Sequence, residues 1–221
     1  MGLCGSKLKF AIKMKENKRF ITIEGIDGCG KSTQAEMLSE WLSLKFGGNN
    51  VVKTFEPGGS GREIRNILLN SSMCPRSELL LFLADRMEHV QNVILPSLKE
   101  NKWVICERYI DSTLVYQSFG RGIPACEIER LFSWCEFPAP HLTIFLDVPV
   151  DMAISRVSSR GNRDRIESAG IDFIRKIYSA YKQLSLDRKR IVRVDASLDA
   201  KKVADRVRNI LEEQFELKSQ A

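Results

Sequence analysis

The residues with the clearest chemistry are Gly25-Ile26-Asp27-Gly28-Cys29-Gly30-Lys31-Ser32, a full match to G-x-x-x-x-G-K-[ST]. Backbone N–H groups from Asp27 through Ser32 can converge on a β-phosphate, helped by the helix N-terminus that follows. Lys31 bridges the β- and γ-phosphates, and the Ser32 hydroxyl takes a Mg²⁺ position. With Thr33, these eight residues form the expected nucleotide-binding set. The loop leaves open whether the terminal phosphate goes to water or to a second substrate.

Four other stretches carry groups suited to a second anionic substrate. "CERYIDSTLVYQSFGRG" (106–122) offers Glu107, Arg108, Ser112, Thr113, Tyr116 and Gln117. A carboxylate such as Glu107 at a strand end can hold Mg²⁺ through water or orient an attacking oxygen. Arg108 beside it is a bidentate phosphate clamp. "TFEPGGSGREIR" (54–65) contributes Glu56 and Arg65, although a plain turn into a helix explains it equally well. Phe82 and Arg86 stand four apart on one helical face. They suit a base, by stacking and by bonds to carbonyl oxygens, against the plainer reading of a core Phe and a rim Arg. "SRVSSRGNRDRIE" (155–167) holds Arg156, Arg160, Arg163 and Arg165, which suit a lid over a transferring phosphate rather than a merely solvated loop. Cys29 reads as a small loop residue and His89 as a helix-surface histidine.

The elements that must position these groups follow from periodicity. "RFITIE" (19–24), "VVKTFEPGG" (51–59, ended by Pro57-Gly58-Gly59), "KWVICERY" (102–109), "HLTIFLDV" (141–148) and "RIVRVDA" (190–196) are short, apolar and bounded by turn signals, as buried strands are. Helical patterns run over 31–45, 61–70, 77–99 (interrupted near Pro96), 170–188 and 199–215. The segment after "ERY" reads as polar and irregular. Five strands alternating with helices predict an α/β, P-loop three-layer sandwich with a five-stranded, parallel, doubly wound sheet. The groups above then collect beyond the carboxyl ends of the strands.

The bulk properties narrow the class. A chain of 221 residues, 28% charged and with net charge +6, fits one domain with anionic ligands. No basic run interleaved with aromatics points to a nucleic-acid partner. Six cysteines without C-x-x-C spacing read as free thiols in a reducing, cytoplasmic setting. No apolar run is long enough to span a bilayer. "MGLCGS" fits a permissive myristoylation pattern, but Met14 flows straight into the first strand, so residues 1–18 read as a leader and membrane attachment is not expected. The remaining 19–221 form one domain with its lid around 156–167.

Taken together, "GIDGCGKST", "EPGG", "LLFLADR", "ERYIDSTLVYQ…GRGI", "LDVP" and "RGNRDRIE" resemble thymidylate kinases of bacterial type, over about residues 19 to 215. The resemblance implies a nucleoside-monophosphate-kinase fold, usually a homodimer, that passes the γ-phosphate of ATP to dTMP with Mg²⁺, giving dTDP. By position, Gly25 to Ser32 would bind ATP, Phe82 would stack on thymine, and Arg86 would bond a thymine carbonyl. Arg65 and Arg108 would hold the dTMP phosphate near Glu56, while Ser112, Thr113 and Gln117 would line the acceptor pocket. Tyr116 would pack near the deoxyribose, and Asp27 would lie close to the acceptor. The loop lacks the arginine some members place in it, so Arg160, Arg163 or Arg165 would supply the catalytic cation, with Arg160 and Arg165 the better positional matches. Two residues depart from the family pattern: Phe55 stands where Arg is common, and Glu107 where Asp is usual. Deoxynucleoside kinases share the glycine loop and a Glu-Arg pair, so thymidine is the alternative acceptor. A nucleotide switch is a second alternative, against which the missing N-K-x-D motif counts.

Overall fold

A computed structural model describes residues 19–59, 61–159 and 170–217. The leader 1–18 and the arginines at 160, 163 and 165 lie outside the described residues. Five strands, β1 (Phe20–Glu24), β2 (Val51–Phe55), β3 (Trp103–Glu107), β4 (Leu142–Asp147) and β5 (Ile191–Asp195), form one sheet in the order β2-β3-β1-β4-β5. Every pairing is parallel. Central β1 and β4 are buried at every position, as a sheet covered on both faces requires.

Alternation along the strands divides the core into two layers. Ile21 and Ile23 of β1 and Ile105 of β3 face one layer with α1 (Lys31–Phe46), α8 (Ile171–Asp187) and α9 (Ala200–Gln214). Phe20, Val104 and Cys106 face the other, against α3 (Pro75–His89), α4 (Leu95–Lys99) and α6 (Ala125–Trp134). The α2 helix (Glu63–Asn70) flanks α3, and α7 (Val150–Ser158) follows β4.

Three local details differ from the sequence expectation. The 77–99 helix starts at Pro75 and runs unbroken in direction, but widens to i→i+5 bonding over Val90–Ile94 just before Pro96. Pro96 has no N–H to donate, and the Ser97 hydroxyl donates to Val93 O at 2.7 Å. The polar stretch after β3 is helical: α5 (Ile110–Thr113) continues as a wide turn over Leu114–Gly120. Its polar side chains are packed inward, so polarity there signals a site rather than solvent. The short α6 carries only Ile128 and Phe132 as buried residues, too few for a clear sequence period.

Candidate active site

The phosphate loop joins β1 to α1. Gly28 has φ 83°, and a Cβ there would sit 2.3 Å from the Ala153 carbonyl oxygen. No side chain fits, which is why an arginine cannot stand at this position. Cys29 is buried, as a small loop residue should be, and burial pushes its thiol pKa up. Lys31 is buried too, and its Nζ donates to Gly25 O (3.1 Å) and Ile26 O (2.9 Å). The ammonium thus stands over the loop, with the free N–H groups of the first turn of α1 beside it. Ser32 faces a cavity of about 470 Å³ at the carboxyl edge of the sheet, whose lining does not include Gly25, Ile26, Gly28, Cys29, Gly30, Lys31 or Thr33.

Asp27 lines the same cavity and forms ion pairs with Arg108 and with Lys31 (3.5 Å). Its partial burial works against the charge, but Arg108 and Lys31 outweigh it and hold the carboxyl at about 2. Arg108 follows β3 in a left-handed conformation, φ 63°. That uncommon geometry turns the guanidinium inward over the Tyr116 ring (5.4 Å) and towards Gly25 O. Glu107 also lines the cavity, and its carboxylate forms no ion pair among the described residues. Ser32 and Glu107 are therefore hard oxygen donors facing one space, a set that suits Mg²⁺.

The rest of the cavity is built by α2, α3, α5 with the wide turn after it, and the loop after β2. Phe82, Arg86, Arg65, Glu56, Ser112, Thr113, Tyr116 and Gln117 all reach the cavity. Arg65 donates to Pro57 O and lies over the Phe55 ring at 5.4 Å, so the departure at Phe55 provides a plate beneath Arg65. Arg86 is 2% exposed and not a rim residue. Its Nε donates to Glu56 Oε2 (2.7 Å) and its Nη2 to Tyr109 O (3.1 Å), while Nη1 is buried with no hydrogen-bond partner among the described residues. The rings of Tyr109, Phe132 and Phe137 surround the guanidinium at 5.1 to 5.8 Å. A buried donor left open in a cavity wall invites an acceptor from a ligand.

His89 overturns the sequence expectation: it is fully buried, not on a helix surface. Its Nδ1 donates to Glu56 Oε1 at 2.9 Å, and its Nε2 meets the Thr54 hydroxyl at 2.7 Å. The ring packs so close to the loop after β2 that a Cβ on Gly59 would lie 2.5 Å from it. Glu24 was also missed. At 0% exposure it accepts from Tyr109 N (2.8 Å), Ser112 N and Oγ, and Tyr181 Oη (2.9 Å). A carboxylate ending a buried strand beside the glycine loop was the available signal. At the loop's far side, Arg156 Nη1 approaches Gly28 O and Ala196 O, both at 3.4 Å. The other lid arginines fall outside the described residues.

The glycine loop and the acceptor wall share one cavity, as a two-substrate phosphotransferase requires. A family model for thymidylate kinase matches residues 23–207. The chain belongs to the thymidylate kinase family. A thymidylate kinase of Wolbachia pipientis is 43% identical over 169 residues, covering 76% of this chain and 81% of that protein. Another from Kosmotoga olearia is 40% identical, covering 85% and 92%. A solved thymidylate kinase from Ehrlichia chaffeensis superposes with a TM-score of 0.72 at 35% identity, covering 87% of this chain and 97% of the other. Thymidylate kinases are ATP-dependent phosphotransferases that convert dTMP to dTDP, and nothing among these relatives supports a thymidine acceptor.

Proposed function

We propose that this chain transfers the γ-phosphate of ATP to dTMP, with Mg²⁺, within a single domain spanning 19–221 and preceded by a leader. One observation carries the reading: a single cavity is lined both by Ser32 and Asp27 of the phosphate loop and by Phe82, Arg86, Thr113 and Gln117. ATP binds along Gly25 to Thr33, its β-phosphate on the loop N–H groups. Ser32 and Glu107 would hold the Mg²⁺, which would supply neutralisation of phosphate charge there. Lys31 leaves its loop carbonyls for the β- and γ-oxygens. Arg108 and Arg65 hold the dTMP phosphate in line, and Asp27 fixes Arg108 by its ion pair. Phe82 stacks on thymine, and the open Nη1 of Arg86 donates to a base carbonyl.

A loose phosphoryl-transfer transition state asks chiefly for alignment and charge neutralisation. The loop carries no arginine, and a side chain at Gly28 would meet the Ala153 carbonyl, which supports a lid origin for that cation, from Arg160 or Arg165. Lid closure keeps water from the γ-phosphate. No helix among the described residues is long and apolar enough to cross a membrane, in keeping with a cytoplasmic enzyme. Exposed Leu80 and Met87 on one face of α3 suit a homodimer.

The test measures ADP formation from ATP and Mg²⁺ with dTMP, with thymidine, and with neither. Turnover is expected with dTMP alone. Equal turnover with thymidine, or turnover indifferent to acceptor, overturns the reading.

A further inference from the structure

Behind the cavity wall lies an ion pair that the phosphate chemistry does not use. Glu78, in the first turn of α3, is 2% exposed. Its Oε1 accepts from Gln117 Nε2 at 3.0 Å and from Arg121 Nε at 3.1 Å, and its Oε2 accepts from Arg121 Nη2 at 3.3 Å. Arg121 is itself braced, its guanidinium 5.0 Å from the Phe173 ring of α8. Gln117 is 2% exposed and lines the cavity beside Phe82, Arg86 and Thr113.

A glutamine amide has a donor end and an acceptor end that are nearly equal in shape. An ionised carboxylate only accepts, so Glu78 claims the donor end of Gln117 and leaves Oε1 as the atom available to a ligand. We infer that Glu78, through its own bond to the Gln117 amide, is a positioning residue that locks that amide with its oxygen towards the acceptor base. The inference rests on the proposed dTMP site.

An outward acceptor pairs with a ring N–H. Thymine and uracil carry a hydrogen on N3. Cytosine carries a lone pair there, which would face the Gln117 oxygen with no hydrogen between them. The lock therefore selects a 4-oxo pyrimidine against a 4-amino one. It acts with the open donor of Arg86, which asks for an acceptor on the base. Discrimination of this kind is strong because the wrong base leaves buried polar groups unpaired. With Glu78 removed, the amide is free to turn and offer its NH₂ instead.

The test compares dTMP with 5-methyl-dCMP, which has the same methyl group and differs only at N3 and C4. In the full-length enzyme, Glu78→Leu is expected to lower the ratio of kcat/KM for dTMP over 5-methyl-dCMP by roughly tenfold or more, the size of one buried hydrogen-bond mismatch. Arg121→Met breaks the same ion pair but keeps the bond from Gln117 to Glu78, so its ratio should stay within about twofold of wild type. If Glu78→Leu does not fold, Glu78→Gln takes its place. It offers Gln117 both a donor and an acceptor, and the ratio should fall there too. An unchanged ratio in a folded Glu78 variant, or an equal fall in Arg121→Met, overturns the lock. Wild-type enzyme that turns over dTMP no better than 5-methyl-dCMP removes the dTMP reading and the lock with it. Loss of the lock alone leaves wild-type dTMP selectivity in place.

Discussion

Arg108 and Asp27 illustrate how single residues divide the work. Arg108 meets Asp27, Tyr116 and Gly25 O together, so the chain's own groups fix its guanidinium in the cavity wall. Arg108→Ala should lower kcat/KM for dTMP by about 10³-fold, roughly 4 kcal/mol, with steady-state kinetics as the check. Unchanged turnover would remove Arg108 from the site. Glu24 makes a prediction of a different kind. Burial and the charge of Asp111 push its carboxyl up to about 7 from 4.5, against the opposing effects of Ser112, Arg108 and Tyr181. Between those values the folded state binds a proton that the unfolded chain does not. Its contribution to stability is therefore complete below pH 4.5 and is lost as pH rises through 7. Glu24→Gln, neutral at every pH and similar in shape, should flatten the fall in unfolding free energy across this window. Urea titrations at a series of pH values check this, and identical slopes would contradict it. Asp27 runs the other way: held at about 2, it stabilises above pH 3.8 and that contribution is lost as pH falls through 2.

At the scale of elements, the glycine loop works because α7 passes directly behind it. Gly28→Ala places a methyl group against the Ala153 carbonyl and forces a side chain into φ 83°. It should destabilise the fold by about 1–3 kcal/mol and raise KM for ATP more than KM for dTMP. Thermal melts and separate substrate titrations measure the two effects, and a rise confined to dTMP would be inconsistent with them. The glycine loop and all five strands were legible in sequence, because each is encoded locally, by a fixed spacing or a short apolar run. The acceptor wall was only half legible. Phe82 and Arg86 show their shared face by a spacing of four, and the structure places both in the cavity. Ser112, Thr113 and Gln117 sit in a stretch that reads as polar loop, yet they are buried in and just beyond α5. Their burial depends on partners far along the chain: Ser112 on Glu24, and Gln117 on Glu78. His89 is the same case, because its partner Glu56 stands 33 positions away on another element. No local period records such pairs, so Ser112, Thr113 and Gln117 stand out by their motif and not as helical, buried residues, and His89 reads as a surface histidine.

For the molecule as a whole, α3 carries cavity residues on one face and exposed apolar residues on another. Its inner face carries Glu78, Leu79, Leu83 and Arg86, all buried, and so forms the back of the base pocket. Leu80 and Met87, two turns apart, are 58% and 38% exposed on the outer side, and Ile67 of the neighbouring α2 is 46% exposed. A row of apolar side chains on one helix face is costly to leave in water, and a second copy of the same face would cover it with two-fold symmetry. Wild-type protein should then sediment at about twice the 25.2 kDa chain mass. Leu80→Asp combined with Met87→Lys puts charges at the centre of that face and should give a species of chain mass. Because α3 presents Phe82 and Arg86 on its other side, loss of the partner should also loosen the base pocket. The monomeric variant should therefore show a several-fold higher KM for dTMP, with KM for ATP nearly unchanged, since the glycine loop belongs to β1 and α1. Sedimentation velocity and the two titrations test the arrangement together. A wild-type chain that sediments as a monomer would exclude it, and a dimeric double variant would move the interface elsewhere.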